Sequence, residues 1–103
     1  MAENEIQLVN ESGDITVNLT GSNGNLVLGG AGSEGDIALL RPDGAQTIHI
    51  DGGSGNINLG GNGSNGDIRL KNTDGEVTIH LDAETGDILL NGTSLKELIQ
   101  RLQ

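Results

Sequence analysis

Six positions in each stretch of 31 residues carry Ile, Leu or Val, and they recur three times along the chain. Ile6, Ile37 and Ile68 open the series, followed by Leu8, Leu39 and Leu70, then Val17, Ile48 and Ile79. Leu19, Ile50 and Leu81 come next, then Leu26, Ile57 and Ile88, and last Leu28, Leu59 and Leu90. Within one copy the six form three pairs at i, i+2 spacing, the alternation of a strand with one apolar face. Each copy therefore predicts three short strands. Between them lie phrases such as "NESG", "TGSNG", "RPDG" and "GGNGSNG", rich in residues that tolerate positive φ and corners. After Asn91-Gly92 the period changes. Leu95, Leu98, Ile99 and Leu102 share one face of a helix, and Ser94 with Glu97 three residues on has the form of a capping box. About two turns of helix do not hold alone in water, so that stripe needs a partner.

A fixed period of this length is the mark of stacked repeats. The expected fold is all-β: a parallel β-solenoid, a three-sided β-helix of three coils with 31 residues per coil, followed by a short C-terminal α-helix. The aliphatic pairs would then stack as inward ladders about 4.8 Å apart. A meander sandwich is the rival, but nothing in that architecture demands that every third strand repeat. A trimeric β-helix with one chain per side would show a much shorter period. The expected division is a solenoid over residues 1–92 and a capping or assembly helix over 93–103.

Composition changes the picture little. With 33% hydrophobic residues, 18 Gly, no Phe, Tyr or Trp and a net charge of -10, the chain would lean towards disorder if its aliphatics were scattered. Their periodic placement overrides that lean. The lack of Cys excludes disulfides and thiolate metal sites. Five Lys and Arg against 15 Asp and Glu argue against nucleic acid or an anionic membrane as partner. No apolar run reaches the roughly 20 residues of a membrane span. The opening "MAENEIQLVN" lacks the basic and apolar regions of a signal peptide, so the expected location is cytoplasmic or on a virion or appendage.

The phrases "GGNGSNGDIRL", "TIHIDGGSGNINLGG" and "TIHLDAETGDILL" resemble a repeat of uncharacterised bacterial β-solenoid proteins. There a Gly-Gly-Asn-Gly corner precedes Gly-Asp-Ile or Gly-Asp-Leu, and an Ile-His-Leu-Asp-Gly strand follows. The likeness covers about residues 11–92. The tail "NGTSLKELIQRLQ" is similar to junctions in phage tail-fibre and trimeric adhesin-like proteins. Together these resemblances imply a structural module, often trimeric, and transfer no catalytic residue.

Candidate chemistry is sparse. His49 and His80 alternate with the aliphatic positions, with Asp51 and Asp82 two residues further on the same face. In a solenoid the four would share one patch, fit for a borderline metal such as zinc, or simply form a solvated polar ladder beside Thr16, Thr47 and Thr78. Asn18 takes the place of His in the first copy. Calcium is disfavoured: the nonapeptide calcium repeat needs an Asp where Ile57 stands, and Asp14, Asp36, Asp67 and Asp87 supply only one carboxylate per corner. No metal or other cofactor is therefore expected, and no set of nucleophile and base points to an enzyme. Val9, Leu40, Val27 and Leu89 add scattered apolar side chains to the outer faces. The expected function is a non-enzymatic structural module, a rigid spacer or assembly tip, forming a homo-oligomer (a trimer by preference) through Leu95, Leu98, Ile99 and Leu102. The alternative is recognition of a glycan or surface protein by the flat polar faces.

Overall fold

Turn chemistry sets the direction of every strand. In the computed structural model, which describes residues 4–103, three kinds of turn recur in the three copies, two of them at the 31-residue interval and the third two residues early in the last copy. Residues 1–3, the start of the expected 1–92 domain, lie outside the described residues. In the first kind, Asn10 N–H donates to the Asp14 carbonyl at 2.9 Å and Gly13 N–H to the Asn10 carbonyl at 3.0 Å. Gly13 has φ 84, and Gly44 and Gly75 match it at φ 88 and 83. This is a tight turn followed by a left-handed residue, a standard closure for an antiparallel hairpin. Asp43 stiffens its copy by accepting from Ala45 N–H at 2.9 Å and pairing with Arg41 at 2.9 Å. In the second kind, Gly24, Gly55 and Gly86 donate to the carbonyls of Thr20, Asp51 and Asp82, each at 2.9 Å. In the third, two consecutive residues have positive φ: Ala31-Gly32, Asn62-Gly63 and Asn91-Gly92. That is the geometry of a two-residue hairpin loop, for which Asn-Gly is the favoured sequence.

The strands follow from these reversals. β1 (Glu5–Val9), β2 (Ile15–Thr20) and β3 (Asn25–Leu28) form one sheet in the order β1-β2-β3. β4 (Asp36–Leu40), β5 (Gln46–Asp51), β6 (Asn56–Gly61) and β7 (Ser64–Asn65) form a second, in chain order. β8 (Asp67–Lys71), β9 (Val77–Asp82), β10 (Asp87–Leu90) and β11 (Thr93–Ser94) form the third, followed by α1 (Leu95–Arg101). The expected parallel β-solenoid is therefore wrong, although the chain is all-β apart from one short helix. Each 31-residue copy is a meander of antiparallel strands that pairs within itself, and the period counts meanders instead of coils. The physical reason is the turn backbone. A left-handed residue closing a tight hydrogen-bonded loop sends the chain back beside itself, whereas a solenoid corner must send it onward.

By its contacts the chain divides into two units, Met1–Leu39 with His49–Ile57, and Leu40–Ile48 with Asn58–Gln103. In the first unit Ile6 lies opposite Leu19 and Leu19 opposite Leu26, while Leu8, Val17 and Leu28 form the next row. In the second unit Ile68, Leu81 and Ile88 form one row and Leu70, Ile79 and Leu90 the other. The aliphatic pairs thus sit side by side on one face of each of these sheets, two rows deep and three strands wide. The pairing slips by one residue at Thr16 and Thr78. Their carbonyls accept instead from Gly29 N–H at 2.7 Å and Asn91 N–H at 2.9 Å, which ties the middle strands β2 and β9 to the turns that follow β3 and β10.

That face is not covered. No side chain among the described residues is fully buried, and of the eighteen repeated aliphatics all but Val17, Leu28, Ile48 and Leu59 are exposed. Ile79, in the central strand β9, is 37% exposed and Ile57 65%. The expected interior ladder is thus an outward surface. α1 rests on β10 and β11. Ser94 Oγ accepts from Glu97 N–H at 3.2 Å, as a helix N-cap should. Leu102 nevertheless remains 81% exposed.

Two glycines fix how one meander meets the next. A Cβ on Gly35 would collide with the Leu28 carbonyl, and a Cβ on Gly66 with that of Leu59. Gly35→Ala or Gly66→Ala should therefore destabilise the chain by about 2 kcal/mol or more, while an exposed polar change such as Thr73→Ser should cost under about 0.5 kcal/mol. Urea denaturation followed by circular dichroism measures both; equal midpoints for the two classes of variant would show that the junctions are not tightly packed.

Candidate functional site

The opposite face of the third sheet concentrates the charge. Antiparallel register sets Asp67 opposite Asp82 and Asp82 opposite Asp87, with Arg69, His80 and Leu89 in the adjacent row. Carboxylates directly across a strand pair repel one another, so each needs its own compensation. Asp67 has the most. Its Oδ2 lies 3.2 Å from His80 Nε2 and 3.3 Å from an Arg69 guanidinium nitrogen, and its Oδ1 accepts from Ala83 N–H at 3.4 Å. The hydrogen bond from His80, helped by the Ala83 amide and Arg69, holds the Asp67 carboxyl below the usual aspartate range. Asp82 takes the Glu84 N–H at 3.0 Å, inside its own turn. Asp87 accepts from Ser94 Oγ, from Lys96 N–H at 3.1 Å and from Ile88 N–H at 2.8 Å. Its carboxyl is lowered as well, first by Ser94. Asp87 therefore belongs to the start of the helix, and Asp67, His80 and Asp82 form a separate set.

The first unit carries a counterpart. His49 Nε2 lies 3.5 Å from Asp36, whose Oδ1 accepts from Gly52 N–H at 3.1 Å. Asp51 accepts from Gly53 N–H at 3.0 Å, and that bond lowers its carboxyl. The Glu34 carboxylate lies against Gly53, where a Cβ would occupy its place. Two groups of possible ligand atoms result, each within 4.8 Å of one another: Asp67, His80 and Asp82, and Glu34, Asp36 and Asp51. The first mixes imidazole and carboxylate, the donors zinc accepts, and would release its Arg69 pair on taking up an ion.

The expected grouping of His49, Asp51, His80 and Asp82 changes accordingly. His80 has Arg69 and Leu89 as its cross-strand neighbours, which removes the geometric ground for a ladder with His49. Each His instead pairs inside its own copy, with Asp36 or Asp67 from the preceding strand. Those aspartates read in the sequence only as markers of strand starts. Their role becomes legible once "RPDG" and "NTDG" are recognised as hairpin loops that fold the preceding strand back beside the histidine. The first copy has Glu5, Asn18 and Thr20 at the matching positions. Gln7 there donates to Glu5 at 3.0 Å, and Asn18 Oδ1 has no partner among the described residues. That sheet forms nonetheless, so the His–Asp set is an addition to the fold and not a condition for it.

Two clefts also recur at the repeat interval. One of about 300 Å³ is lined by Thr47, Ile48, Leu59, Gly60, Ser64 and Asp67. The other, about 260 Å³, is lined by the equivalent Thr16, Val17, Leu28, Gly29, Ser33 and Asp36. Both are at or below the small end of ligand-binding cavities. They arise where the glycine junctions bring backbone close to backbone.

The lowered carboxyl of Asp67 fixes a pH dependence. Its folded pKa lies below the unfolded value of about 3.9, so pairing stabilises the fold above that pH and the contribution is lost as pH falls through the folded value. Asp67→Asn should thus melt at a lower temperature than the parent at pH 7, and the two should converge near pH 2. A difference that persists unchanged at acid pH would mean the carboxylate charge is irrelevant. Compared with protein-family models, with curated proteins and with solved structures, the chain matches none.

Proposed function

We propose that the chain is a non-enzymatic structural repeat module, a rigid spacer or assembly tip that works as a homo-oligomer. One observation carries this reading: the uncovered aliphatic face that recurs in register with the repeat. Of the eighteen repeated aliphatics fourteen are exposed and none is fully buried. Large apolar patches of this kind mark surfaces that associate.

Light scattering coupled to size exclusion at about 100 µM should return a multiple of 10.6 kDa. A monomer at that concentration sinks the proposal.

A further inference from the structure

We propose that Asp67, His80 and Asp82 form a binding site for one borderline divalent cation of the zinc type, assembled within the third sheet. The antiparallel pairing of β8 with β9 brings the three together. Asp67 stands directly opposite Asp82, and His80 lies two residues before Asp82 on the same side of β9. His80 is therefore the diagonal neighbour of Asp67, within reach of its carboxylate. One ligand atom from each residue falls within 4.8 Å of the other two. His80 Nε2 and Asp67 Oδ2 are 3.2 Å apart. Two ligands of a tetrahedral zinc ion, each bonded at about 2.0–2.1 Å, stand about 3.3 Å from one another. This pair already has the spacing of one tetrahedral edge. The backbone orients the carboxylates without exhausting them. Ala83 N–H holds Oδ1 of Asp67 at 3.4 Å and Glu84 N–H holds Oδ1 of Asp82 at 3.0 Å, which leaves the second oxygen of each for a cation.

Facing carboxylates repel across a strand pair, and a cation between them relieves that repulsion. The Arg69 guanidinium does part of this, 3.3 Å from Asp67 Oδ2. Arg69 is exposed, whereas Asp67, His80 and Asp82 are half-buried, so an ion that displaces the guanidinium sends it into water and leaves the sheet in place. One imidazole and two carboxylates make a three-ligand set with a fourth position open to solvent, as in zinc sites that exchange a ligand. Calcium takes six to eight oxygens and finds too few here. The second copy shows what the set requires. Asp36 keeps its histidine there at 3.5 Å, but the ligand atom that converges with those of Asp36 and Asp51 comes from Glu34 and not from His49. Carboxylates alone lack the nitrogen donor that suits zinc over harder cations. The site is therefore assigned to the third copy only. It lies on the side of the sheet opposite Ile79 and Leu81, so the aliphatic rows, and the function proposed from them, stand or fall separately.

The chain has only two histidines, so imidazole proton signals in an NMR titration of the full chain with zinc chloride at pH 7 report each one separately. The His80 signals should shift and saturate at one ion per chain while those of His49 stay, and the melting temperature should rise with zinc. His80→Asn carries the residue that the first copy has at this position, Asn18, in a sheet that forms. It should fold and lose the melting response. Asp82→Asn keeps an acceptor for the Glu84 amide and should weaken uptake about tenfold or more, the loss seen when even an outer partner of a metal ligand is removed. Arg69→Ala removes the competing cation and should tighten binding several-fold, a gain that a purely structural Asp67–Arg69 pair does not predict. Calcium and magnesium should leave the signals where they are. The proposal is overturned by a chain that does not respond to zinc, by equal shifts at both histidines, or by uptake that survives His80→Asn or Asp82→Asn unchanged. Saturation at one ion for two chains overturns it too, because the ion then lies between copies.

Discussion

Everything in this chain depends on the sign of φ at a few turn residues. Gly13, Gly44 and Gly75 each close a tight loop from the left-handed region, which L side chains occupy at a cost and glycine does not. Because these loops reverse the chain, the strands pair with their sequence neighbours. Because they pair with neighbours, the two apolar residues of each strand line up across the sheet in rows. The rows then create one aliphatic face and one polar face per meander. The charge pairs, the junction clefts and the bare surface all follow from that first reversal.

The period, the strands and the choice of face were legible from the positions of Ile, Leu and Val alone. Strand direction was not, because i, i+2 spacing is the same whichever way the next strand runs. The information lay in the loops. Asn62-Gly63 and Asn91-Gly92 are favoured two-residue hairpin sequences, and Arg41-Pro42-Asp43-Gly44 is a tight-turn phrase. Ala31 hid the pattern in the first junction, since its φ of 52 is adopted against its preference. The candidate site inherits the same blind spot. His49 and His80 could be placed opposite the aliphatic face by alternation, but Asp36 and Asp67 come beside them only once the direction of the preceding strand is known.

The two faces invert the usual relation between polarity and cover. His80 sits half-buried among Asp67, Arg69 and Leu89, while its neighbour Ile79 looks out from the other side. On the polar side long side chains lie against one another and complete each other's hydrogen bonds, so the face is finished within a single chain. On the aliphatic side nothing from the same sheet can do so, because neighbouring side chains in a row stand parallel and shield only their flanks. A sheet of three or four strands is too narrow to fold over itself, so its apolar side gains from burial only through whatever covers it.

The glycine contacts at the junctions carry a consequence for how such a chain changes length. Gly35 meets the carbonyl of Leu28, and Gly66 meets that of Leu59. The two seams are built from the same parts, each drawing one half from the meander before it and one from the meander after. A duplication or loss of one whole 31-residue copy therefore recreates the seam without any compensating substitution. An insertion within an exposed hairpin loop leaves the seam untouched, but a change that spans a seam preserves it only in steps of one meander.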